Sequence, residues 1–269
     1  MKRLLLTILP VFILCFLAIG CGLQKRVSST PTLDKIQKRG TLLVGTTGDY
    51  RPLSYKEPGT GEYWGFGIDV AGEIAGSLGV SISYVPTSWP TLSADVQKAE
   101  LFDFAIGGIT ITDVRQETMD MSEGYLCNGK TILCRREDAS KYKTLKDLNK
   151  PDVRVMVNPG GLNETFARKN LPLCTLIVYG KNEDIPDQIA EGEADVMITE
   201  ITEAPYYVET DSRLAAPLIN RPFTHGEIGI LLQKNKTELL TKINSIISQM
   251  KADGSLKKIH EKYGLVYGY

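Results

Sequence analysis

The sequence predicts an α/β protein of two lobes, each built on a mostly parallel β-sheet, with a ligand cleft between them. Short β-branched runs alternate with segments of helical apolar spacing, which is the pattern of parallel sheets covered by helices. The alternation occurs in two series, separated by a polar stretch through Tyr142, and each series is long enough to bury its own core. In open α/β sheets of this kind, ligands bind beyond the carboxyl ends of the strands.

Residues 1–20 have the plan of a bacterial secretory signal peptide. Lys2 and Arg3 precede an apolar run, 4–19, that is too short for a comfortable membrane span. Residues 17–21 look like a lipobox, which predicts lipidation of Cys21 after cleavage and a polar tether over 21–32. We therefore expect an exported protein, anchored to the membrane by lipid on its periplasmic or extracytoplasmic face. An ordinary signal peptide that ends in a chance cysteine is the alternative.

The first lobe is predicted to begin with residues 33–126. Residues 41–46 form a short β-rich run, and 66–78 carry apolar residues at helical spacing up to Gly79. The alternation then continues with strands at 81–85 and 102–106, a helix at 92–99, and a helix that opens after Asp113.

The second lobe is predicted to cover residues 127–223. Its strands are expected at 129–135, 153–157, 175–179 and 194–198, and its helices at 162–170, 185–191 and 201–208. The last segment, 224–269, contains one predicted strand at 228–232, followed by helices at 236–251 and 255–263. Because this segment has no sheet of its own, we expect it to return to the first lobe.

Composition and charge exclude some classes of function. Among 269 residues, 42% are hydrophobic and 23% charged, with 31 basic against 32 acidic side chains, as in an ordinary globular protein. That balance provides no basic surface to follow phosphates, so nucleic acid is excluded as a partner. With no CxxC motif and only two histidines, no metal site is predicted.

Three cysteines remain after the leader and the lipidation site: Cys127, Cys134 and Cys174. An odd number cannot all pair within one chain. Cys127 and Cys134 lie seven positions apart in a segment expected to be extended. At about 3.3 Å per residue they are too far apart for a disulfide unless the chain turns.

Motifs along the chain resemble the type 3 periplasmic solute-binding proteins over nearly all of residues 33–264. They are GFGIDVA at 65–71, FDFAI at 102–106 with GIT at 108–110, and Arg115 on the following helix. The resemblance implies the type II periplasmic-binding-protein fold. It also implies that Arg115 grips a ligand carboxylate, and that an acidic residue of the second lobe receives an α-amino group.

A narrower resemblance is to the cyclohexadienyl dehydratases, enzymes of this fold that convert L-arogenate or prephenate to phenylalanine or phenylpyruvate. It rests on TTGDYRP at 46–52, VPTSWP at 85–90, VNPGGLNE at 157–164 and TEITEA at 199–204. The resemblance implies that Glu203 is the general acid. The substrate-binding residues that it implies are Asp49, Trp89, Thr110, Arg115, Lys130, Asn158 and Gly161. Glu200 stands where an aspartate is expected to recognise the amino group, and we include it among them.

The chemistry of such a reaction agrees with these residue types. The substrate loses CO₂ and its ring hydroxyl, so the protein must supply a proton to a poor leaving group. A glutamic acid can hold that proton if closure desolvates it beside carboxylates and raises its pKa. Arg115 can bind a carboxylate through two parallel N–H bonds, and Lys130 adds a point charge. Neither a metal nor an organic cofactor is needed.

Each of these features has a simpler explanation. Arg115 could pair with Asp113 or Glu117 on a helix surface, Trp89 could cover a loop, and Gly161 could belong to a plain turn. For the whole protein, the alternative function is the amino-acid-binding subunit of an ABC importer, with a permease as partner. Both functions use the same fold and the same Arg115.

Overall fold

The computed structural model describes residues 32–98 and 101–268. The signal peptide, Cys21 and nearly all of the predicted tether lie outside the described residues. The helices are α1 (Thr32–Arg39), α2 (Phe66–Leu78), α3 (Leu92–Gln97), α4 (Asp113–Thr118), α5 (Leu145–Leu148), α6 (Leu162–Asn170), α7 (Ile185–Glu191), α8 (Ala204–Thr210), α9 (Thr237–Asp253) and α10 (Ser255–Lys262).

Fifteen short strands accompany these helices in the described part of the chain. They are β1 (Thr41–Thr46), β2 (Asp49–Tyr50), β3 (Ser54–Lys56), β4 (Tyr63–Trp64), β5 (Ser81–Pro86), β6 (Phe104–Ala105), β7 (Met119–Met121), β8 (Leu126–Asn128), β9 (Lys130–Arg135), β10 (Arg154–Val157), β11 (Thr175–Val178), β12 (Val196–Glu200), β13 (Leu214–Ala215), β14 (Gly226–Ile228) and β15 (Leu231–Gln233).

The first five-stranded sheet has the order β5-β1-β6-β15-β7. Strands β5, β1 and β6 are parallel, whereas β15 runs antiparallel to both β6 and β7. Strand β15 comes from the end of the chain, and Leu231 lies opposite Ala105 and Met121. The terminal helices add Ile243 and Ile247 to the same buried core as Val44.

The second five-stranded sheet has the order β11-β10-β12-β9-β13 and repeats this plan. Its strands β11, β10 and β12 are parallel, and β9 runs antiparallel to β12 and β13. Ile132, Val155 and Ile198 are fully buried in a core of their own. The ends of strands from the two sheets meet, because Tyr50, which follows β1, donates to Glu200 at the end of β12.

The chain passes between the sheets in two segments that pair as β8 and β14. They run antiparallel, with Leu126 opposite Ile228 and Asn128 opposite Gly226. A small antiparallel sheet of β2, β3 and β4 follows β1 and places Asp49 and Tyr50 beside the gap between the lobes.

Several predicted elements are confirmed. The helices over 66–78, 162–170 and 185–191 have the expected bounds. The first of them ends at Gly79, which takes the left-handed conformation (φ 68°) and donates to the last carbonyls of the helix.

Cys127, Cys134 and Cys174 are free thiols. Within the described ranges, no helix has the length and apolar character needed to cross a membrane.

Other predicted elements are wrong in extent. The single strand expected at 228–232 is two strands, because Ile228 pairs with β8 whereas Leu231 pairs with β6 and β7. The helix expected at 201–208 begins at Ala204, after a turn. Pro205 fits in the first turn of that helix, where its missing N–H costs no hydrogen bond.

Candidate functional site

A pocket lies where the ends of the two sheets meet. Seven of the nine residues predicted for the site line it: Trp89, Thr110, Arg115, Lys130, Asn158, Gly161 and Glu200. The lining is completed by Tyr50, Gly108, Leu162 and Asn163. The two remaining predicted residues, Asp49 and Glu203, lie behind this lining.

Glu200 and Lys130 form a buried ion pair in the pocket. They are direct neighbours on the antiparallel strands β12 and β9, and Lys130 Nζ lies 2.6 Å from Glu200 Oε1. Tyr50 donates to the other oxygen, Oε2, at 2.5 Å, and Thr110 donates to Oε1 at 3.3 Å. Burial alone would raise the pKa of Glu200, but the charge of Lys130 and the hydrogen bonds from Lys130 and Tyr50 hold the pKa below its ordinary value. Glu200 is therefore an ionised carboxylate.

Arg115 lies on α4 and turns its guanidinium towards the pocket. The helix is capped by Thr112, whose hydroxyl accepts from the Arg115 N–H at 3.3 Å. The side chain donates from Nη1 to the Thr110 carbonyl at 2.5 Å. Burial lowers the pKa of Arg115, and the charge of Glu200 opposes this shift. Arg115 thus faces the pocket, and in the part of the chain that the structure describes it forms no ion pair with Asp113 or Glu117.

The start of α6 forms the opposite wall. Gly160 has φ 71°, and a Cβ there would lie 2.6 Å from Cα of Pro90, so the two lobes touch at a backbone that only glycine allows. Gly161 is the N-cap residue of α6. Asn163 accepts from Lys130 Nζ at 2.5 Å, and Oδ1 of buried Asn158 has no hydrogen-bond partner among the described residues. This wall therefore offers an acceptor and a helix N-terminus to a ligand.

Trp89 lines the pocket, and Asp49 fixes its orientation. The indole N–H donates to Asp49 Oδ1 at 3.0 Å, and the ring meets Tyr50 edge-on at a centroid distance of 5.4 Å. Burial raises the pKa of Asp49 above its ordinary value, against the hydrogen bonds from Thr47 and Trp89. Asp49 thus acts on the pocket through Trp89.

Glu203 is the N-cap residue of α8 and is fully buried directly behind Glu200. Both of its oxygens are hydrogen-bonded by neutral groups: Asn182 donates to Oε1 at 2.9 Å, and Thr199 donates to Oε2. Burial raises the pKa of Glu203 to about 8. The hydrogen bonds oppose this rise, and the charges of Glu200 and Asp49 add to it. A carboxyl group of this kind keeps its proton at neutral pH, whereas Glu200 does not.

Four polar side chains of the site were missed by the sequence-based prediction: Tyr50, Asn163, Asn182 and Thr199. Tyr50, Asn163 and Thr199 lie inside the motifs at 46–52, 157–164 and 199–204. The motifs therefore indicated that these residues are near the site, but not which groups they contact. Asn182 lies in none of those motifs. In the described residues no group of His, Cys, Asp and Glu is arranged to hold a metal ion.

Comparison with known proteins gives the family. Residues 42–266 match the bacterial extracellular solute-binding proteins, family 3. The chain belongs to this family. It is 40% identical to the cyclohexadienyl dehydratase of Pseudomonas aeruginosa over 204 residues, which cover 76% of this chain and 75% of that protein.

Two solved structures extend the likeness across both lobes. One is an ancestral amino acid-binding protein, AncCDT-1, a precursor of cyclohexadienyl dehydratase, with 39% identity, a TM-score of 0.80, and coverage of 86% of this chain and 99% of that one. The other is an ancestral cyclohexadienyl dehydratase, with 51% identity, a TM-score of 0.54, and coverage of 87% and 97%. The two-lobed fold predicted for a family 3 solute-binding protein is therefore confirmed.

Proposed function

We propose that this family 3 protein is a cyclohexadienyl dehydratase, a carbon–oxygen lyase that acts on L-arogenate, prephenate or both. The observation that carries the proposal is Glu203, a fully buried carboxyl group with only neutral hydrogen-bond donors, beside a pocket that contains two cations. Such a group holds a proton where a reaction needs one. The likeness to one natural and one ancestral dehydratase supports the same function.

The two carboxylates of the substrate are held from both lobes. Arg115 of the first lobe binds the side-chain carboxylate, which the product keeps, through its planar N–H fork. Lys130 of the second lobe, with the start of α6 beside it, attracts the ring carboxylate. Glu200 receives the ammonium group when the substrate is arogenate. These contacts fix the ring between the lobes, so that binding and closure occur together.

The chemical step is an elimination that makes the ring aromatic. The bond between the ring and its carboxylate breaks, CO₂ leaves, and the electron pair moves through the ring to expel the hydroxyl on the far side. Glu203 is the source of the proton that this hydroxyl takes as it leaves as water, and Glu203 becomes a carboxylate until the solvent reprotonates it. The arriving proton prevents the formation of free hydroxide, which is what a general acid contributes.

A direct assay tests this function. The purified protein is incubated with prephenate, and phenylpyruvate is followed by its ultraviolet absorbance; phenylalanine release from arogenate is measured in parallel by chromatography. We expect turnover of at least one substrate well above the spontaneous reaction in buffer. The proposal would be contradicted if the protein binds these substrates but forms product no faster than buffer does.

The second candidate is the amino-acid-binding subunit of an ABC importer. It is favoured by the ionised carboxylate of Glu200 in the same pocket as Arg115, which together suit an α-amino and an α-carboxylate group. The ancestral amino acid-binding protein shares the fold at 39% identity. Tight binding of a free amino acid without turnover of prephenate or arogenate would select this function, with a permease as the partner.

The same proposal includes the location of the protein. We infer export through the leader at residues 1–20 and lipid attachment at Cys21, on the basis of the lipobox at 17–21. The description of the family as extracellular supports export. Residues 21–32 would then tether the catalytic part to the outer face of the membrane.

A further inference from the structure

Asn182 connects the buried acid to the opposite lobe. It opens a short 3₁₀ turn, Asn182–Asp184, and is 1% exposed. Its amide nitrogen Nδ2 donates twice, to Glu203 Oε1 at 2.9 Å and to the backbone carbonyl of Asp49 at 3.1 Å. Asp49 belongs to β2 of the first lobe, so one side-chain amide bridges both lobes at the group that holds the proton.

The chemistry of its neighbours fixes the orientation of this amide. Both groups at Nδ2, the Asp49 carbonyl and Glu203 Oε1, are acceptors. Oδ1 of Asn182 is buried and has no hydrogen-bond partner in the described residues. Turning the amide over would place an acceptor against two acceptors and leave two buried donors unpaired, which is far less favourable.

That orientation determines where the proton of Glu203 sits. An amide NH₂ group can only donate, so Oε1 of Glu203 must act as the acceptor oxygen. In the protonated acid the proton is then on Oε2, the oxygen that faces the Thr199 hydroxyl. A hydroxyl group can either donate or accept, so it adapts to the protonated and to the ionised acid.

We propose that Asn182 is a positioning residue of the reaction. It orients the Glu203 carboxyl group and fixes its proton on Oε2, and it does so fully only while the two lobes are in contact. The inference rests on the proposed dehydratase function. When the lobes separate, Asn182 loses its hydrogen bond to the Asp49 carbonyl, and only its hydrogen bond to Glu203 still orients the amide. Full orientation of the acid therefore accompanies closure over the substrate.

The surroundings of Glu203 give this role a distinct signature. Four ionisable side chains face Glu203 from the elements around it: Asp49 and Tyr50 of β2, Glu200 of β12, and Tyr207 of α8. Burial raises the pKa of Glu203 most, and Asn182 is one of the two donors whose hydrogen bonds lower it. Its removal should raise that pKa while it slows the reaction.

The test compares Asn182→Ala and Asn182→Leu with wild type. We expect kcat to fall about 10-fold, as for one lost orienting hydrogen bond of about 1.4 kcal/mol, with a smaller change in KM. Because the reaction needs protonated Glu203, the basic limb of the kcat profile should move to higher pH. Asn244→Ala is the matched control: Asn244 on α9 joins distant elements by accepting from the Glu123 N–H, and its loss should change neither kcat nor the limb.

A second measurement separates this proposal from the proposed function. In the wild type, the ¹⁵N-labelled side-chain amide of Asn182 should shift with pH at the midpoint of Glu203, and Glu203→Gln should abolish that shift. An amide that does not sense Glu203, or variants that lose stability but keep kcat and the basic limb of wild type, would overturn the role of Asn182. Absence of turnover in the wild type would refute the dehydratase, and the amide titration would still decide whether Asn182 fixes the acid.

Discussion

Lys130 and Glu200 lie directly opposite each other on β9 and β12, and their charged atoms are 2.6 Å apart with both side chains nearly inaccessible to solvent. The pair places one positive and one negative charge in the same pocket. A substrate carboxylate and a substrate ammonium group can each compete for one member of it. Recognition at this position therefore depends on exchanging a partner within the protein for one on the ligand.

Loss of one member of this pair should be costly. Lys130→Met leaves the buried Glu200 charge without its cation, and we expect the free energy of unfolding to fall by about 3–5 kcal/mol in denaturant titrations. The double variant Lys130→Met/Glu200→Gln should recover most of that loss, because it contains no unpaired charge. Lys141→Met removes an exposed partner of Asp138 and should have little effect. Equal stability of the first variant and wild type would show that Lys130 and Glu200 are not coupled.

Arg115 should require its guanidinium shape as well as its charge. Arg115→Lys keeps the cation but loses the fork that binds a carboxylate, so we expect phenylpyruvate to bind roughly 1–3 kcal/mol more weakly by calorimetry. Arg213→Lys, which alters an exposed pair with Asp211, is the control and should bind as wild type does. An unchanged dissociation constant for Arg115→Lys would show that Arg115 does not bind the ligand carboxylate.

Glu203 should make stability depend on pH in a defined direction. Its pKa is raised from 4.5 to about 8 in the folded protein, chiefly by burial, so between these values the folded state binds more protons than the unfolded state. Stability from this group is present at low pH and is lost as the pH rises through that window. The Tm of wild type should therefore fall relative to that of Glu203→Gln as the pH increases. A difference in Tm that is constant with pH would show that Glu203 has an ordinary pKa.

The anchor can be tested in cells. Wild-type protein should partition with membranes and into the detergent phase if the proposed lipid on Cys21 inserts into the bilayer. Cys21→Ser should appear in the soluble extracytoplasmic fraction, and Cys127→Ser, which changes an exposed thiol of the folded part, should partition as wild type does. Recovery of the wild type in the aqueous phase with an unmodified terminus would exclude the lipid.

The fold followed from local patterns to a large extent. Helix α2 could be predicted because its apolar spacing stops at Gly79, a residue that readily takes the left-handed conformation of a helix cap. The strand at 228–232 could not be predicted correctly. Its break depends on pairing partners at Leu126 and Ala105, more than a hundred positions earlier in the chain, and apolar character alone does not specify them.

Most residues of the site could be predicted from the sequence, but the contacts between them could not. Glu203 and Glu200 were identified from a motif, yet which of them keeps its proton depends on Lys130, 70 positions away from Glu200. Asn182 carried no signal in the sequence, because an asparagine in a turn is ordinary. Its importance arises from a contact with Asp49 across 133 positions.

The role of Glu203 as the general acid is tested by the effect of Glu203→Gln on turnover and on binding. Glutamine keeps the shape and the hydrogen bonds to Asn182 and Thr199 but has no proton to transfer. We expect turnover of prephenate or arogenate to fall by about 10²-fold or more, while equilibrium binding of phenylpyruvate is retained, as for a group used chiefly in the transition state. Wild-type turnover that survives in Glu203→Gln would contradict the assignment of Glu203 as the general acid.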